Sequence, residues 1–543
     1  MAALLWADCL AQFVMWTMME YLTEVWKISV VHAAGIVNIF SGLVLVLQLP
    51  IQYLVDTIIS KYWMLVFSSL AYSVGIGLLT MSTPPVLAGF VGTCSEYKPE
   101  CIVEGHKILF YAALGLLAFA SSSCSVESTE FAEEQLEIAI NEHISLSLIQ
   151  REFFKLLLFM VPVAAIISIS YIKPWNLRFG VSAICTVIAT LLFLSGTCTY
   201  ENKEPEGSPL TSVFRVFVAS TTKLFYRLPS DASELYEGND TDDSFFDSDD
   251  SSFVQPTCGL GCLDKAAVIL PNGTIEQQET NRWRLCSVTE VEETKRLLRM
   301  IPICLTFIIP GVVSSIGNTY FVEQADLLNK KVGNLKATTV ILLPYYNNVN
   351  KRVAKMYTGC LLLFALMGRK KYVPVVGFAI SMVAAILCCI TAAMVENRRL
   401  DVARSHGLID KPDAEIPMSL FWLLPQFFLL GCFDGIREKS IDDFFTDQCP
   451  RSLRKYATLF STAVTGLGVI GGVLSVYLVG IISESKGKDN WFQFTLNHSR
   501  LDNYYWVLAA FTAANFAVHI ILAMLLPLRD ASSEFLENFL EDA

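Results

Sequence analysis

Apolar runs of about 20 residues recur along almost the whole chain, and at about 1.5 Å of helical rise per residue each is long enough to cross a hydrocarbon core roughly 30 Å thick. In lipid every backbone N–H and C=O has to be paired within the protein, so continuous runs of this kind fold as helices. Composition agrees, because 53% of the 543 residues are hydrophobic and only 17% are charged, against about 25% in soluble domains. Mean hydropathy is +0.48. The expected fold class is an all-α, multi-pass integral membrane protein with the lipid bilayer as its main solvent.

The runs place spans at 1–23, 33–55, 62–83, 107–128, 150–172 and 177–198, then at 299–321, 337–366, 373–395, 417–445, 457–483 and 504–527. Met1–Met19 has no positive n-region or small-residue cleavage site and carries Asp8, so it reads as the first span and not as a signal peptide. The organisation expected is a six-helix bundle over 1–198, a linker over 199–296, a second six-helix bundle over 297–527 and an acidic tail over 528–543. Within the linker, Pro209–Leu228 has the mixed aromatic, aliphatic and basic character of an interfacial amphipathic helix. Ser230–Ser252 is acidic and Ser-rich and reads as disordered. The eighth span carries "LLPYYNNVNKRVAKMYTG" in its middle, which fits a helix broken inside the protein.

Lys and Arg in short loops set orientation. "GRKK" at 368–371, "PRSLRK" at 450–455, Lys61 and the basic linker helix fall on one side, which is expected to be cytosolic with both termini, in the plasma or vacuolar membrane. "ENRRLDVARSHG" from Glu396 falls on the other side and breaks the rule. On this orientation the sequons at Asn239 and Asn272 stay unmodified, while Asn497 in "NHS" is an outer-side glycosylation candidate.

The net charge of -12 comes from the linker and tail and reads as solvated surface, with no basic patch for nucleic acid. The six histidines are isolated from one another, and Cys258, Cys262 and Cys286 fit no strong zinc spacing, so neither a metal nor a cofactor is expected. No phosphate-binding loop is present to drive ATP-dependent transport. No catalytic constellation stands out, so an enzyme is not expected. Cys94 and Cys101, in a polar stretch between the third and fourth spans, are either a disulfide or two free thiols.

Several motifs, in order, resemble the plant nitrate/peptide transporter family, part of the proton-dependent oligopeptide transporters of the major facilitator superfamily. They include "YWMLVFSSLAYSVGIGLLTMSTPP", "FAEEQLE", "LDKAAV", "NRWRLCSV", "VEETKRLLRMIPI", "NTYFVEQADLLNKKVG", "IPMSLFWLLPQFFLLG", "DDFFTDQCP" and "LDNYYWVLA". The resemblance covers nearly the whole chain and implies the major facilitator fold, about twelve helices in two bundles. It implies solutes as varied as nitrate, peptides, hormones and defence metabolites. The family's E-x-x-E-R motif in the first span falls at Leu4, Ala7 and Asp8, none matching. Its fourth-span lysine falls at Ser125, and one branch's nitrate-binding histidine falls at Ser314. The facilitator signature survives in part as Asp56, Ser60 and Lys61, and the acid that meets a substrate amine in the tenth span falls at Asp443.

Ionisable groups at membrane depth cost about 2.5–3.5 kcal/mol to insert and usually face a cavity or a partner. Asp8, Gln12, Trp16 and Glu20 repeat every four residues and align on one helical face, either as a cavity wall or as two solvated ends. Asp434, Arg437, Glu438, Lys439, Asp442 and Asp443 crowd the end of the tenth span. If that helix runs on to Phe445, as the resemblance implies, the cluster lies in the transport path; if it stops near Phe433, the cluster is a cytosolic cap. Ser314, Ser315, Asn318, Thr319 and Tyr320 in the seventh span are solute contacts or helix-packing groups. Glycines of "GLGVIGGVLSVYLVG" in the eleventh span permit close helix approach.

The function expected is a secondary transporter of a small polar solute working by alternating access. Proton coupling would run through Asp8, Glu20, Asp434, Glu438 or Asp443. The alternative is a transporter-like receptor that binds ligand without net flux. Partners are the solute, protons and lipid; the sequence leaves oligomeric state open.

Overall fold

A computed structural model describes residues 2–86, 102–141, 172, 174–205, 207–228, 235–236, 259–270, 278, 281–317, 319–332, 335–336, 342–366, 372–411, 414–485 and 489–525. The fifth expected span, Cys94, Cys101, Asn239, Asn272, Asn318, the acidic stretch after 236 and the C-terminal tail lie outside the described residues, as does the side chain of Trp16.

The first set of helices is α1 (Ala2–Trp16), α2 (Met18–Glu24), α3 (Val30–Thr57), α4 (Lys61–Met81), α5 (Glu104–Asn141) and α6 (Trp175–Ser195). The linker contributes α7 (Leu210–Thr222). The second set is α8 (Val288–Thr306), α9 (Ile308–Gly317), α10 (Tyr320–Leu327), α11 (Leu342–Leu366), α12 (Val373–Ser405), α13 (Leu424–Gln448), α14 (Ala457–Glu484) and α15 (Leu501–Leu525). Among the described residues eight helices are long and apolar enough to cross a membrane, or nine when α8 and α9–α10, bent by 41°, count as one span.

Several boundaries differ from expectation for identifiable reasons. The first span is split at Thr17, whose hydroxyl donates to the Val14 carbonyl at 3.0 Å. The seventh begins at Val288, well before its apolar part. Ser287 caps it by accepting from the Glu290 amide at 3.2 Å, while the Glu290 carboxylate accepts from the Ser287 amide at 3.1 Å. The eighth is one continuous helix despite its polar middle. The tenth starts at Leu424, with Pro425 in its first turn, after a short strand over Ile416–Ser419 that pairs in parallel with Leu328–Asn329.

Within the first set α4 packs on α5 and α6, and α3 on α5. Their shared core includes Tyr21, Trp175, Phe179 and Phe110, all buried. In the second set α12 packs on α13 and α15, α11 on α13, and α9 on α14. The two sets meet along α3 and α14, where Ala34 of α3 is buried in the second set's core. Outward faces are apolar: Trp63, Phe67, Leu70 and Val74 form an exposed stripe on α4, as do Leu474, Leu478 and Ile481 on α14. Stripes of this size at 3.6-residue spacing need lipid to cover them.

The linker carries its own small core. Val216 and Ala219 of α7 bury against Ala266, Ala267, Val268, Cys286 and Val291. Lys223 donates to the carbonyls of Ala266 at 3.0 Å and Val268 at 2.6 Å, and burial lowers its pKa to about 8. The same core buries the Cys286 thiol, raising it to about 12.

Two features of the far side of the second set differ from the sequence reading. The arginines that broke the charge rule all have partners within the protein, one of them buried and two at its surface. Arg399, 1% exposed, makes paired contacts of 2.7 and 2.8 Å with Glu396, Arg398 lies 4.1 Å over the Trp422 ring, and Arg404 meets Asp401 at 3.1 Å. Asn497 is no glycosylation acceptor in this structure. Its side chain is buried, accepting from Arg399 at 2.6 Å and facing the Leu408 carbonyl, so its amide nitrogen is not available at the surface.

Candidate functional site

A cavity of about 1130 Å³ opens between the two sets. Its wall on the first set comes from Gln12, Glu20 and Glu24 of α1–α2, Tyr72 of α4, and Ser121 and Ser125 of α5; the second set supplies Glu323 and Asp326 of α10, Lys330, Asn347 of α11 and Phe427 of α13. Residues on both sides of the break at Thr17 line this wall. Glu20 is half exposed and sits 3.7 Å from Arg178 of α6, whose guanidinium lies 4.4 Å over Trp175. Lys330 pairs with Asp326 at 2.9 Å. That leaves Glu24 and Glu323 as wall acids with no salt bridge among the described residues.

Of the residues singled out in the first span, Gln12 and Glu20 line this cavity. Asp8 sits one contact behind the wall, accepting hydrogen bonds from the Tyr72 hydroxyl and from Gln12 at 2.8 Å. Glu24, Tyr72, Glu323, Asp326 and Lys330 were missed individually. The last three lie in "VEQADLLNK", where the i, i+3 spacing of Glu323 and Asp326 was the available signal.

The charges of α13 are placed elsewhere. The helix runs through the whole cluster to Gln448, and Asp434 and Arg437 are each 1% exposed. Arg437 donates to Asp434 at 3.1 Å, to Glu438 at 3.3 Å and to Thr465 of α14 at 3.1 Å, while Tyr346 of α11 donates to Asp434 at 2.9 Å. Mutual pairing and burial keep both groups away from a solute in this conformation. Asp443 pairs with Lys439 on its own helix at 3.2 Å. Asp434, Arg437, Glu438, Asp443 and Ser314 are not among the residues lining the cavity.

Of the facilitator-signature residues, Asp56 builds the closure at the linker end. Asp56, at the end of α3, accepts from Lys455 at 2.6 Å, from Gln52 at 3.0 Å and from the Tyr456 hydroxyl, so it bridges the two sets. The start of the linker completes the bridge. Gly207 donates its amide to the Asp56 carbonyl at 2.9 Å, and the Ser208 and Tyr456 hydroxyls meet at 2.6 Å. Gly207 has φ +99°, a backbone conformation that favours glycine. Lys61, by contrast, turns to α5 and pairs with Glu130 at 2.9 Å and Glu134 at 2.8 Å.

Replacing Asp56 with alanine is expected to leave the buried Tyr456 hydroxyl short of its acceptor and Lys455 without its counter-charge. The cost is about 2 kcal/mol, which corresponds to a roughly 30-fold rise in opening of this end. Faster amide hydrogen exchange across 203–212 would report it; unchanged exchange would refute the bridge as a closure.

Two helix sets around a polar cavity, bridged at one end, define a multi-pass carrier of the major facilitator type. The sequence model of the POT family (PTR2) matches residues 62–492. The chain is 37% identical to "Protein NRT1/ PTR FAMILY 5.5" of Arabidopsis thaliana over 530 residues, covering 96% of this chain and 95% of that protein. It is 28% identical to "Protein NRT1/ PTR FAMILY 8.3" of the same plant, over 95% and 88% of the two chains. Its fold is similar to that of an auto-inhibited POT family peptide transporter, with a TM-score of 0.60 at 16% identity over 97% of both chains. The POT family transporter PepTSo gives 0.55 at 13% identity, over 96% of this chain and 97% of that one. The chain belongs to the POT family, in its plant nitrate/peptide branch, and is a secondary transporter and not an enzyme.

Proposed function

We propose that this protein couples the movement of protons to that of an amine-bearing solute, such as a short peptide, by alternating access. The linker end faces the cytosol, together with both termini, and the cavity mouth faces the opposite side of the plasma or vacuolar membrane. The observation that carries the solute class is the charge of the wall: Glu20, Glu24, Glu323 and Asp326 against Lys330. Partial pairing with Arg178 and Asp326 still leaves an excess of acid. The low-dielectric walls of the cavity focus such a field, attracting a cation and opposing an anion such as nitrate. The acid excess of the wall supports the amine-bearing solute over nitrate.

Uptake by cells expressing the protein, compared for lysyl-alanine, dialanine and nitrate at acidic and neutral external pH, tests this. The expected result is that lysyl-alanine flux exceeds nitrate flux at least about tenfold, equivalent to about 1.4 kcal/mol, and rises with external acidity. Nitrate flux equal to or above peptide flux overturns the solute class; flux independent of pH without proton current overturns coupling. Binding of a probe with no flux at all would favour a receptor.

A further inference from the structure

Glu127 lies on α5, fully buried at 0% exposure, and neither of its carboxylate oxygens has a hydrogen-bond partner among the described residues. It shares one stripe of that helix with Glu130 and Glu134, three and seven residues on. Lys61 takes those two and leaves the deeper one bare. The charged groups that act on Glu127 from the elements around it are Lys61 of α4, Asp56 of α3, Lys455 ahead of α14, and Glu130 on its own helix. All four belong to the closure at the linker end or to its neighbouring Lys61 cluster.

An ionised carboxylate in such a place is strongly disfavoured, because no hydrogen bond among the described residues replaces its lost hydration and the pull of Lys61 and Lys455 offsets only part of it. The neutral acid costs far less. In the conformation with Asp56 and Lys455 joined, Glu127 therefore holds a proton. Ser121 and Ser125 of the same helix line the cavity, so the cavity wall lies within about two helical turns of Glu127 along α5. Parting of Asp56 from Lys455 would bring water to this end of α5, which favours the anion.

We propose that Glu127 is the group that carries the coupled proton: it takes the proton from cavity water while the linker end is closed and releases it to cytosolic water when the Asp56–Lys455 bridge parts. One O–H bond forms on the carboxylate as a hydronium ion on the cavity side gives up its proton and becomes water; on release that O–H bond breaks and a water on the cytosolic side takes the proton, with no change of oxidation state. The assignment rests on proton coupling as proposed above, and it gives that coupling a residue outside the first-span motif and the α13 cluster.

Infrared difference spectra of the full-length protein in liposomes, recorded between acidic and alkaline pH, read the protonated carboxyl directly and need no solute. Glu127→Gln is expected to remove one carboxylic C=O band and Glu127→Asp to retain it at a shifted frequency; spectra unchanged in E127Q overturn the proposal. In the same liposomes an inward proton gradient is expected to drive lysyl-alanine accumulation in the wild type, up to about tenfold per pH unit. E127Q should lose this accumulation and E127D should keep it. Full accumulation by E127Q also overturns the assignment. A wild type with no gradient-driven uptake instead refutes coupling, while the infrared comparison still decides whether Glu127 holds the proton.

Discussion

Arg399→Met is expected to be among the most damaging single substitutions in the chain, lowering folded stability by about 3–5 kcal/mol. Arg399 is 1% exposed and Glu396 is 0% exposed, and the guanidinium makes two contacts to that carboxylate, one to Asn497 and one to the Leu496 carbonyl. Gln324 of α10 also donates to Glu396 at 2.7 Å, and Gln426 of α13 donates to Gln324 at 3.2 Å. The network thus ties α10, α12, α13 and the segment between α14 and α15 at one end of the second set. Methionine fills similar volume but strands a buried negative charge and unpairs two acceptors. The double variant Glu396→Gln with Arg399→Met should recover part of the loss, because no charge is then left unpaired. Thermal unfolding of the detergent-purified protein checks this. Equal stability of R399M and wild type, or a double variant worse than the single, would show that the pair contributes nothing net.

The same residues show where a sequence reading runs out. Arg399 was legible only as a positive charge on the wrong side, because the loop rule counts charges and cannot see that Glu396, one helical turn away, is turned inward with it. Asn497 carried a surface signal, yet its neighbours in space, Arg399 and Leu408, are about ninety residues away in the chain. The apolar spans were readable because lipid imposes length and composition on them directly, and α3, α4, α6, α12 and α14 fall within a few residues of expectation, α12 running longer at its C-terminal end. Hydropathy failed at α8, whose first turns are polar and pack on the linker core; the Ser287 and Glu290 capping pair was the signal there. In the cavity, Gln12 and Glu20 could be found from the four-residue repeat they share with Asp8; beside the linker-end bridge, Glu127 could not be told apart from Glu130 and Glu134. All three share a face, and only the reach of Lys61 separates them.

Gly466→Ala is expected to shift the transporter away from the conformation described by about 1–3 kcal/mol, a population change of roughly 5- to 150-fold. Gly466 of α14 faces Gly42 of α3 across the boundary between the two sets, and a Cβ at Gly466 would lie 2.7 Å from the Gly42 carbonyl oxygen and 2.7 Å from the Leu45 Cβ. A backbone oxygen cannot swing aside as a flexible side chain can, so the helices themselves must separate. Helix propensity would favour alanine by about 1 kcal/mol, which makes Gly471→Ala a control within α14. There the nearest atom to an added Cβ is a Val312 methyl at 3.6 Å, ordinary contact distance. G466A should accelerate hydrogen exchange at the Gly207 amide, which reports the bridge, and lower solute flux together, while G471A leaves both near wild type. Because the α3–α14 contact joins the two sets directly, separation there loosens the Asp56–Lys455 bridge without touching any charged residue. Accelerated exchange in G466A with unaltered flux would mean that the bridge opens independently of transport, and that the two sets do not move as units about this contact.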